Sequence, residues 1–596
     1  MKKSKKGLLL FLGSFFLIGF LYLFLSSPAR FSAFCDQLFI DELQNNALTL
    51  HYIVADPSDY GIENSQISLG SAAADPAVLK RALFKEQLLQ KTIFRSQLSE
   101  KQQRLYDALA YHLSTEMERA DYTLLEEPLV PSIGIQAQLP ILLAEYAFRN
   151  EADVVNYLAL LKCVPDYFDS IIALEEEKIP KGLFMDPATA RELIVYCQEF
   201  CAAPEDHFLE ATFEERLSAL KLEPQKEETY LTENTALLNR CVFPSYKKLQ
   251  GFLEENQSQG QNADGLYYFP EGTAYYACLL RSKVGVDHSF DEIHVMLDEA
   301  LKEDTAAIAR LTKENPTLLS ERDTLTLDTS NPAGLTSYLS KRIQKDFPEI
   351  PEVSLTLCQV PSSMESHLSP AFYLVPPIDQ WTENTIYLNH GYLSEGISVF
   401  TTLAHEGYPG HLYQNVYENA QDPHPLQRLL SINGYSEGWA TYAEQLSYFY
   451  APISEDLASL LSTTRAMTLN LYSHLDLYVH AYGWTEEDCA AYLKKFGITN
   501  AAAVHEMFLL VKQQPANYLT YYLGYLEICR LKEQAETALG DHFDLKEFHE
   551  FILSNGPAPF PLLKTYLKQW IRQNEEGFSD AKIPPRCLMR KILCDL

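Results

Sequence analysis

The sequence predicts a mainly α-helical protein: a large multi-helix body of two lobes, with a small β-sheet beside one helix that carries candidate metal ligands. Three observations predict it. Helical periodicity runs through residues 36–250 and returns after Glu395 almost to the end, whereas strand-like alternation is confined to about residues 352–389. Directly after that alternation stands Thr402-Leu-Ala-His-Glu-Gly-Tyr-Pro-Gly-His-Leu412, which sets two histidines around a glutamate where an apolar helix should end. With 596 residues, 47% of them hydrophobic, the chain is long enough to bury a large core.

Taken in order, the first element is an N-terminal segment. Lys2, Lys3, Lys5 and Lys6 precede an uncharged run from Gly7 to Ser27. About 20 such residues span a bilayer, and the lysines should stay on the cytoplasmic side. The run ends Ser-Ser-Pro-Ala-Arg30 without an Ala-x-Ala-like site, which predicts an uncleaved single-pass anchor with the body outside rather than a secreted protein with a cleaved signal. Cys35 follows Phe34 and lacks the small-residue context of a lipidated cysteine.

Residues 1–27 are therefore read as anchor or signal, 28–250 as an N-terminal helical lobe, and 251–596 as a catalytic lobe. Leu83–Phe94, Lys101–Met117 and Pro140–Cys163 group their apolar residues as one helix face would. The polar stretch Gly251–Gly265 reads as an exposed loop. Val353, Leu355 and Leu357 alternate with Ser354, Thr356 and Cys358, and Ala371–Val375 and Thr385–Asn389 follow, giving three short strands. An edge strand here suits pairing with an extended peptide, or the strands are purely structural. Asp422-Pro-His-Pro425 and Asn555-Gly-Pro-Ala-Pro559 interrupt the helices that follow.

The net charge of −32, from 80 acidic against 48 basic residues, argues against nucleic acid as a partner. Eleven cysteines show no C-x-x-C pair, and an odd count outside the membrane leaves at least one free thiol.

The chemistry concentrates around His405-Glu406. Twenty-five residues after His411 comes Ser436-Glu-Gly-Trp-Ala-Thr-Tyr-Ala-Glu444. Two imidazoles and a carboxylate on one zinc ion per chain, with a second carboxylate left free as a base, are the parts of a hydrolytic metal site. His405, His411 and Glu437 are the predicted ligands and Glu406 the base. Glu444, seven residues beyond Glu437 on the same face, can orient a ligand. The common zinc motif spaces its histidines by four, whereas these are six apart, about 240° round a regular helix. Pro409 and Gly410 predict a break or bulge that returns His411 to the side of His405. Further on, Asp476 and His480 share a helix face, either as a pair near the metal, with His480 touching the transition state, or as an ordinary intrahelical contact. Tyr521 and Tyr522 each offer a phenol for an oxyanion. Arg530 reads as a carboxylate anchor or a solvated charge.

His-Glu-Gly-Tyr-Pro-Gly-His411 followed by Glu437-Gly-Trp-Ala-Thr-Tyr-Ala-Glu444 resembles the bacterial family known as domain of unknown function 885, related to the gluzincin metallopeptidases. The second segment is similar to the Asn-Glu-Gly-Phe-Ala stretch of the aminopeptidase N family, whose glutamate ligates zinc, which maps onto Glu437. Further echoes are Pro270–Tyr276, Asp476 to Thr485, Pro515 through Tyr521 to Gly524, and Phe548-His549, and the resemblance covers about Asp36 to Pro559. It implies a gluzincin-like body acting on short peptides, and it selects Tyr521 over Tyr522. Three departures stand out: Leu412 where members often carry a second histidine, Tyr522 where they carry a lysine or similar polar residue, and Tyr472 where they carry an arginine. The sequence thus points to a membrane-anchored, outward-facing zinc peptidase. The alternatives are a binding protein that keeps the fold without turnover, or a metallohydrolase of a non-peptide amide.

Overall fold

The computed structural model describes residues 22–62, 66–72, 76–131, 133–360, 365, 369–391, 393 and 396–580. Gly7 to Leu21 of the predicted anchor lie outside this set while Tyr22 to Ser27 lie within it, and Cys587 and Cys594 also lie outside it. No helix among the described residues is long and apolar enough to cross a membrane. The described cysteines, from Cys35 to Cys529, are free thiols.

Helices dominate, and their starts are written locally. Ser99 and Gln102 close a reciprocal cap on Glu100–Arg119, and Asn150 and Asp153 do the same for Glu151–Lys178. That second cap divides a stretch whose periodicity suggested one helix over Pro140–Cys163: Ile135–Ala144 stops, and a new helix starts at Glu151. The expected loop at Gly251 begins later, because the helix Phe243–Asn256 continues through it. Part of that loop is buried, since a Cβ on Gly260 would lie 1.8 Å from the Met185 carbonyl oxygen.

One core, which includes Tyr157, Phe168, Leu193 and Tyr246, is drawn from residues 47–253. A larger one, including Phe347, Phe400, Trp439 and Leu523, is drawn from residues 266–567. A third joins Phe31, Cys35 and Phe39 to Leu426 and Leu430, tying the first helices to the second half of the chain. Burial of such side chains stabilises by roughly 25 cal/mol per Å² of apolar surface.

The sheet has three strands, β1 (Ser354–Gln359), β2 (Ala371–Leu374) and β3 (Glu383–Leu388), in the order β1-β3-β2. β1 runs parallel to β3 with Ser354 opposite Glu383, and β2 runs antiparallel to it with Ala371 opposite Leu388. Alternation places Ala371, Tyr373, Ile386 and Leu388 in the core. β2 is an edge strand. Five helices complete the surroundings of the site: α1 (Ile397–Glu406), α2 (His411–Ala420), α3 (Asn433–Ser447), α4 (Glu455–Ala481) and α5 (Asn517–Leu539).

Candidate metal centre

The six-residue spacing resolves into two helices. α1 ends at Glu406, the Tyr408–Pro409 peptide is cis, and α2 starts at His411. The chain folds back tightly between them. The Gly410 N–H donates to the Ala404 carbonyl at 2.9 Å, and the Tyr413 N–H donates to the Gly407 carbonyl at 3.1 Å. Only glycine fits at 410, because a Cβ there would lie 1.7 Å from the His405 carbonyl oxygen. The Pro409 carbonyl accepts from the Trp439 indole at 3.0 Å, which fastens the break to α3. The two imidazoles finish 4.9 Å apart, centroid to centroid, at 84°.

α3 delivers the third group. It crosses α5 at backbone contact: a Cβ on Gly438 would lie 2.5 Å from the Gly524 carbonyl carbon, and one on Gly524 2.2 Å from the Gly434 oxygen. The crossing point adjoins Glu437 on one helix and lies within one turn of Tyr521 on the other. Glu437 Oε2 stands 3.6 Å from His405 Nε2 and 3.5 Å from His411 Nε2. One ligand atom from each residue falls within 4.8 Å of the others. Ligands at about 2.0–2.2 Å around a tetrahedral ion sit roughly 3.3–3.6 Å apart, so the trio fits one zinc. Glu437 Oε2 is also buried without a hydrogen-bond partner, an atom the chain itself leaves unsatisfied.

Glu444, two turns along α3, faces the other side of His405. Its Oε2 is 3.3 Å from His405 Nδ1, within ion-pair range although not aligned as a hydrogen bond, and its Oε1 accepts from Arg465 Nε at 2.7 Å. A carboxylate at Nδ1 favours the tautomer whose Nε2 lone pair is free toward Glu437. Burial pulls the His405 pKa down, but the Glu437 and Glu444 carboxylates outweigh it and push it up to about 10. Against burial, the Arg465 guanidinium and His405 hold Glu444 down at about 2. His411 and His405 likewise hold Glu437 well below the usual carboxylate range.

Glu406 stays out of that trio. Its Oε2 accepts from the backbone N–H of Tyr373 on β2 at 2.9 Å, so the edge strand aims it into the cleft. Burial pushes its carboxyl up, partly offset by His405 and His411. The Tyr521 ring lies nearly parallel to His405 at 6.2 Å, and the Glu437 carboxylate and then burial keep its phenol protonated well above its ordinary range. All these groups line one cleft of about 960 Å³, with β2 along its wall.

Other expected residues lie elsewhere. His480 is corrected: it is buried outside the cleft lining, its Nδ1 accepting from the Leu266 N–H at 3.1 Å and its Nε2 donating to the Val511 carbonyl at 2.9 Å. Burial lowers its pKa to about 4, and a neutral ring with both nitrogens occupied is a structural strut. Asp476 is also away from the ligands, accepting from the Tyr276 hydroxyl and from the N–H groups of Ala516 and Tyr518. It therefore caps the start of α5, the helix that carries Tyr521. The Tyr522 hydroxyl turns inward to Asp304, and Arg530 pairs with Glu299 at 3.8 Å. Sequence reasoning missed Arg465, Arg428 and Glu418, all in the cleft wall. Glu418 was reachable, because seven residues on a helix return it to the face of His411.

The model of the family described as bacterial protein of unknown function, DUF885, matches residues 57–567. No curated protein matches the chain. Among solved structures, a Colwellia psychrerythraea protein described as a lipoprotein has a TM-score of 0.79 at 19% identity, covering 92% of this chain and 100% of its own. A Shewanella oneidensis protein described as a lipoprotein of unknown function has a TM-score of 0.60 at 16% identity, covering 89% and 98%. At such identities the likeness is one of fold alone. A Bacillus anthracis protein described as an oligoendopeptidase F reaches a TM-score of only 0.25 at 12% identity, covering 83% and 96%, and carries no argument.

Proposed function

This chain belongs to the DUF885 family of bacterial proteins, and from that premise and the geometry of its cleft we propose that it is a zinc-dependent peptidase acting on short peptides. The observation that carries the reading is the convergence of His405, His411 and Glu437 beside a Glu406 that is free of the trio and held by an edge strand.

His405, His411 and Glu437 would hold the metal, with Glu444 fixing the ring of His405. Zinc bound there supplies polarisation of the scissile carbonyl and acidification of a water molecule. The chain's own residues do the rest. A Glu406 carboxylate oxygen takes a proton from the attacking water and returns it to the departing amine nitrogen. The protonated Tyr521 hydroxyl donates toward the oxygen on which negative charge develops. β2 offers a strand edge along which an extended peptide can lie. The apolar run after Lys2–Lys6 supports a membrane-anchored, extracytoplasmic body, and the lipoprotein descriptions of two fold relatives agree with an envelope location.

The test is the Glu406→Gln variant of the full chain in detergent, compared with the parent on a broad peptide pool. About one zinc per chain should remain in both proteins, while hydrolysis falls by about 10²–10⁴-fold in the variant. Equal activity in parent and variant, at zero or otherwise, refutes the role of Glu406. A zinc-loaded parent that cleaves no peptide refutes the peptidase reading.

A further inference from the structure

Glu418 is an acid of the cleft that the proposed reaction does not use. Seven residues after His411 on α2, it lies about two turns, or roughly 10 Å, further along the same helix face. It lines the main cleft and also a smaller cavity of about 250 Å³ that adjoins it.

The carboxylate is not neutralised from within. Oε1 is fully buried with no hydrogen-bond partner, and among the described residues the side chain forms no ion pair. The nearby cations and the Tyr435 hydroxyl are engaged elsewhere, and Gln414, one turn earlier on α2, carries an unpartnered Nε2 that brings no charge. Arg428 gives Nη1 to the Asn415 side chain at 2.6 Å and Nη2 to the Pro376 carbonyl at 2.8 Å. The Tyr435 hydroxyl donates to the Ile552 carbonyl at 3.1 Å. In the smaller cavity, Lys101 is held by the Gln421 carbonyl and Arg104 by the Asn555 side chain. Burial, offset only in part by Arg428 and Tyr435, pushes the Glu418 carboxyl up to about 8.

Contrast the other acids here. Glu437 has two histidines and Glu444 has a histidine and an arginine. With no ion-pair partner and only partial help from Arg428, the buried carboxyl stays protonated near neutral pH, and a cation brought by an occupant of the cleft would let it ionise and pair. We propose that Glu418 is a cation subsite of the cleft, holding an ammonium or guanidinium group of the bound peptide. This rests on the peptidase reading for the identity of the occupant. The source is either the peptide's free α-amino group or a lysine or arginine side chain. About three residues of extended chain span the roughly 10 Å from the hydrolytic centre, at about 3.3 Å per residue.

The experiment is isothermal titration of the zinc-loaded, full-length Glu406→Gln protein, which binds without turnover, with and without Glu418→Gln. Three versions of one hexapeptide serve as probes: a free amino terminus with no lysine or arginine, the same peptide N-acetylated, and the acetylated peptide with one lysine. At least one cationic peptide should bind about tenfold to hundredfold more tightly than the uncharged one, and Glu418→Gln should erase that preference. The free-amino and lysine arms identify the source. Glu418→Asp, which keeps the charge, should retain part of the preference and so excludes mere misfolding. An absent cation preference, or a Glu418→Gln loss that falls equally on the uncharged peptide, overturns the subsite. The two readings fail separately. If the otherwise unsubstituted protein cleaves nothing while the preference still depends on Glu418, the peptidase reading falls and the subsite stands. Cleavage with no such preference does the reverse.

Discussion

Replacing Gly410 with alanine tests whether the backbone break, rather than the residue types alone, makes the metal centre. The added Cβ would sit 1.7 Å from the His405 carbonyl oxygen and 2.5 Å from that of Ala404, both of them backbone atoms that no side-chain rotation can clear. Cβ contacts under 3.0 Å are essentially never found, so α1 and α2 must separate by at least 3.0 − 1.7 = 1.3 Å. A zinc site tolerates displacements of about 0.2 Å in its ligand distances. The shift is several times that tolerance, so His405 and His411 can no longer share an ion with Glu437. Loss of a single supporting contact weakens metal binding by about 10–100-fold, and displacement of a ligand should exceed 100-fold. The assay is zinc per chain after dialysis against a graded chelator series, with circular dichroism to verify that the helices persist. Gly251→Ala is the control, since its Cβ meets open space, and it should bind zinc as the parent does. A folded Gly410→Ala protein with the parent's zinc affinity would refute the reasoning.

Two further outcomes follow from the same geometry. Glu444→Gln removes the negative charge from His405 Nδ1 and from Arg465, and should lower zinc affinity by about 10–100-fold in competition with a chelator; unchanged affinity would deny Glu444 its orienting role. Burial disfavours the Asp476 anion and pushes its carboxyl from the ordinary aspartate range up to about 7 in the folded protein. An acid whose pKa rises on folding contributes stability that is full below its unfolded pKa and is lost as pH climbs through the folded one. The change corresponds to at most about 4 kcal/mol. Asp476→Asn should destabilise the protein by weakening the cap on α5, yet its deficit against the parent in thermal unfolding should shrink between pH 4 and pH 7. A deficit that grows with pH would overturn the sign.

The helical class and the small sheet were legible because both rest on periodicity, and the strands at Ser354, Ala371 and Glu383 fall where alternation placed them. The repair of the histidine spacing was legible because Pro409 and Gly410 have few alternatives to a break. The topology was not: β3 lies between its two predecessors, and a strand order is set by packing that no local pattern records. His480 was misplaced for a related reason. Sharing a helix face with Asp476 is visible in sequence, but the carbonyl of Val511 that its Nε2 meets arrives from another helix. Arg465 escaped notice because a single arginine on the long α4 carries no signal until Glu444 is opposite it.

The Glu-Gly-Trp segment explains why a six-residue spacing can serve as well as a four-residue one. In a continuous helix the spacing of two ligands is fixed by the helix itself, and the third needs only to arrive. Here the helix that brings the third group also holds the other two in place. Trp439, two residues after Glu437, grips the Pro409 carbonyl between the histidines. Gly438 lets α3 sink onto Gly524 of α5, so the tyrosine helix and the glutamate helix share one crossing. Glu437 cannot move without its neighbours Gly438 and Trp439, and these cannot move without disturbing either Tyr521 or His411. The centre is therefore one mechanically coupled unit of α1, α2, α3 and α5. Substitutions at Gly438 or Trp439, neither of which supplies a ligand atom, should disturb metal binding and the position of the tyrosine together.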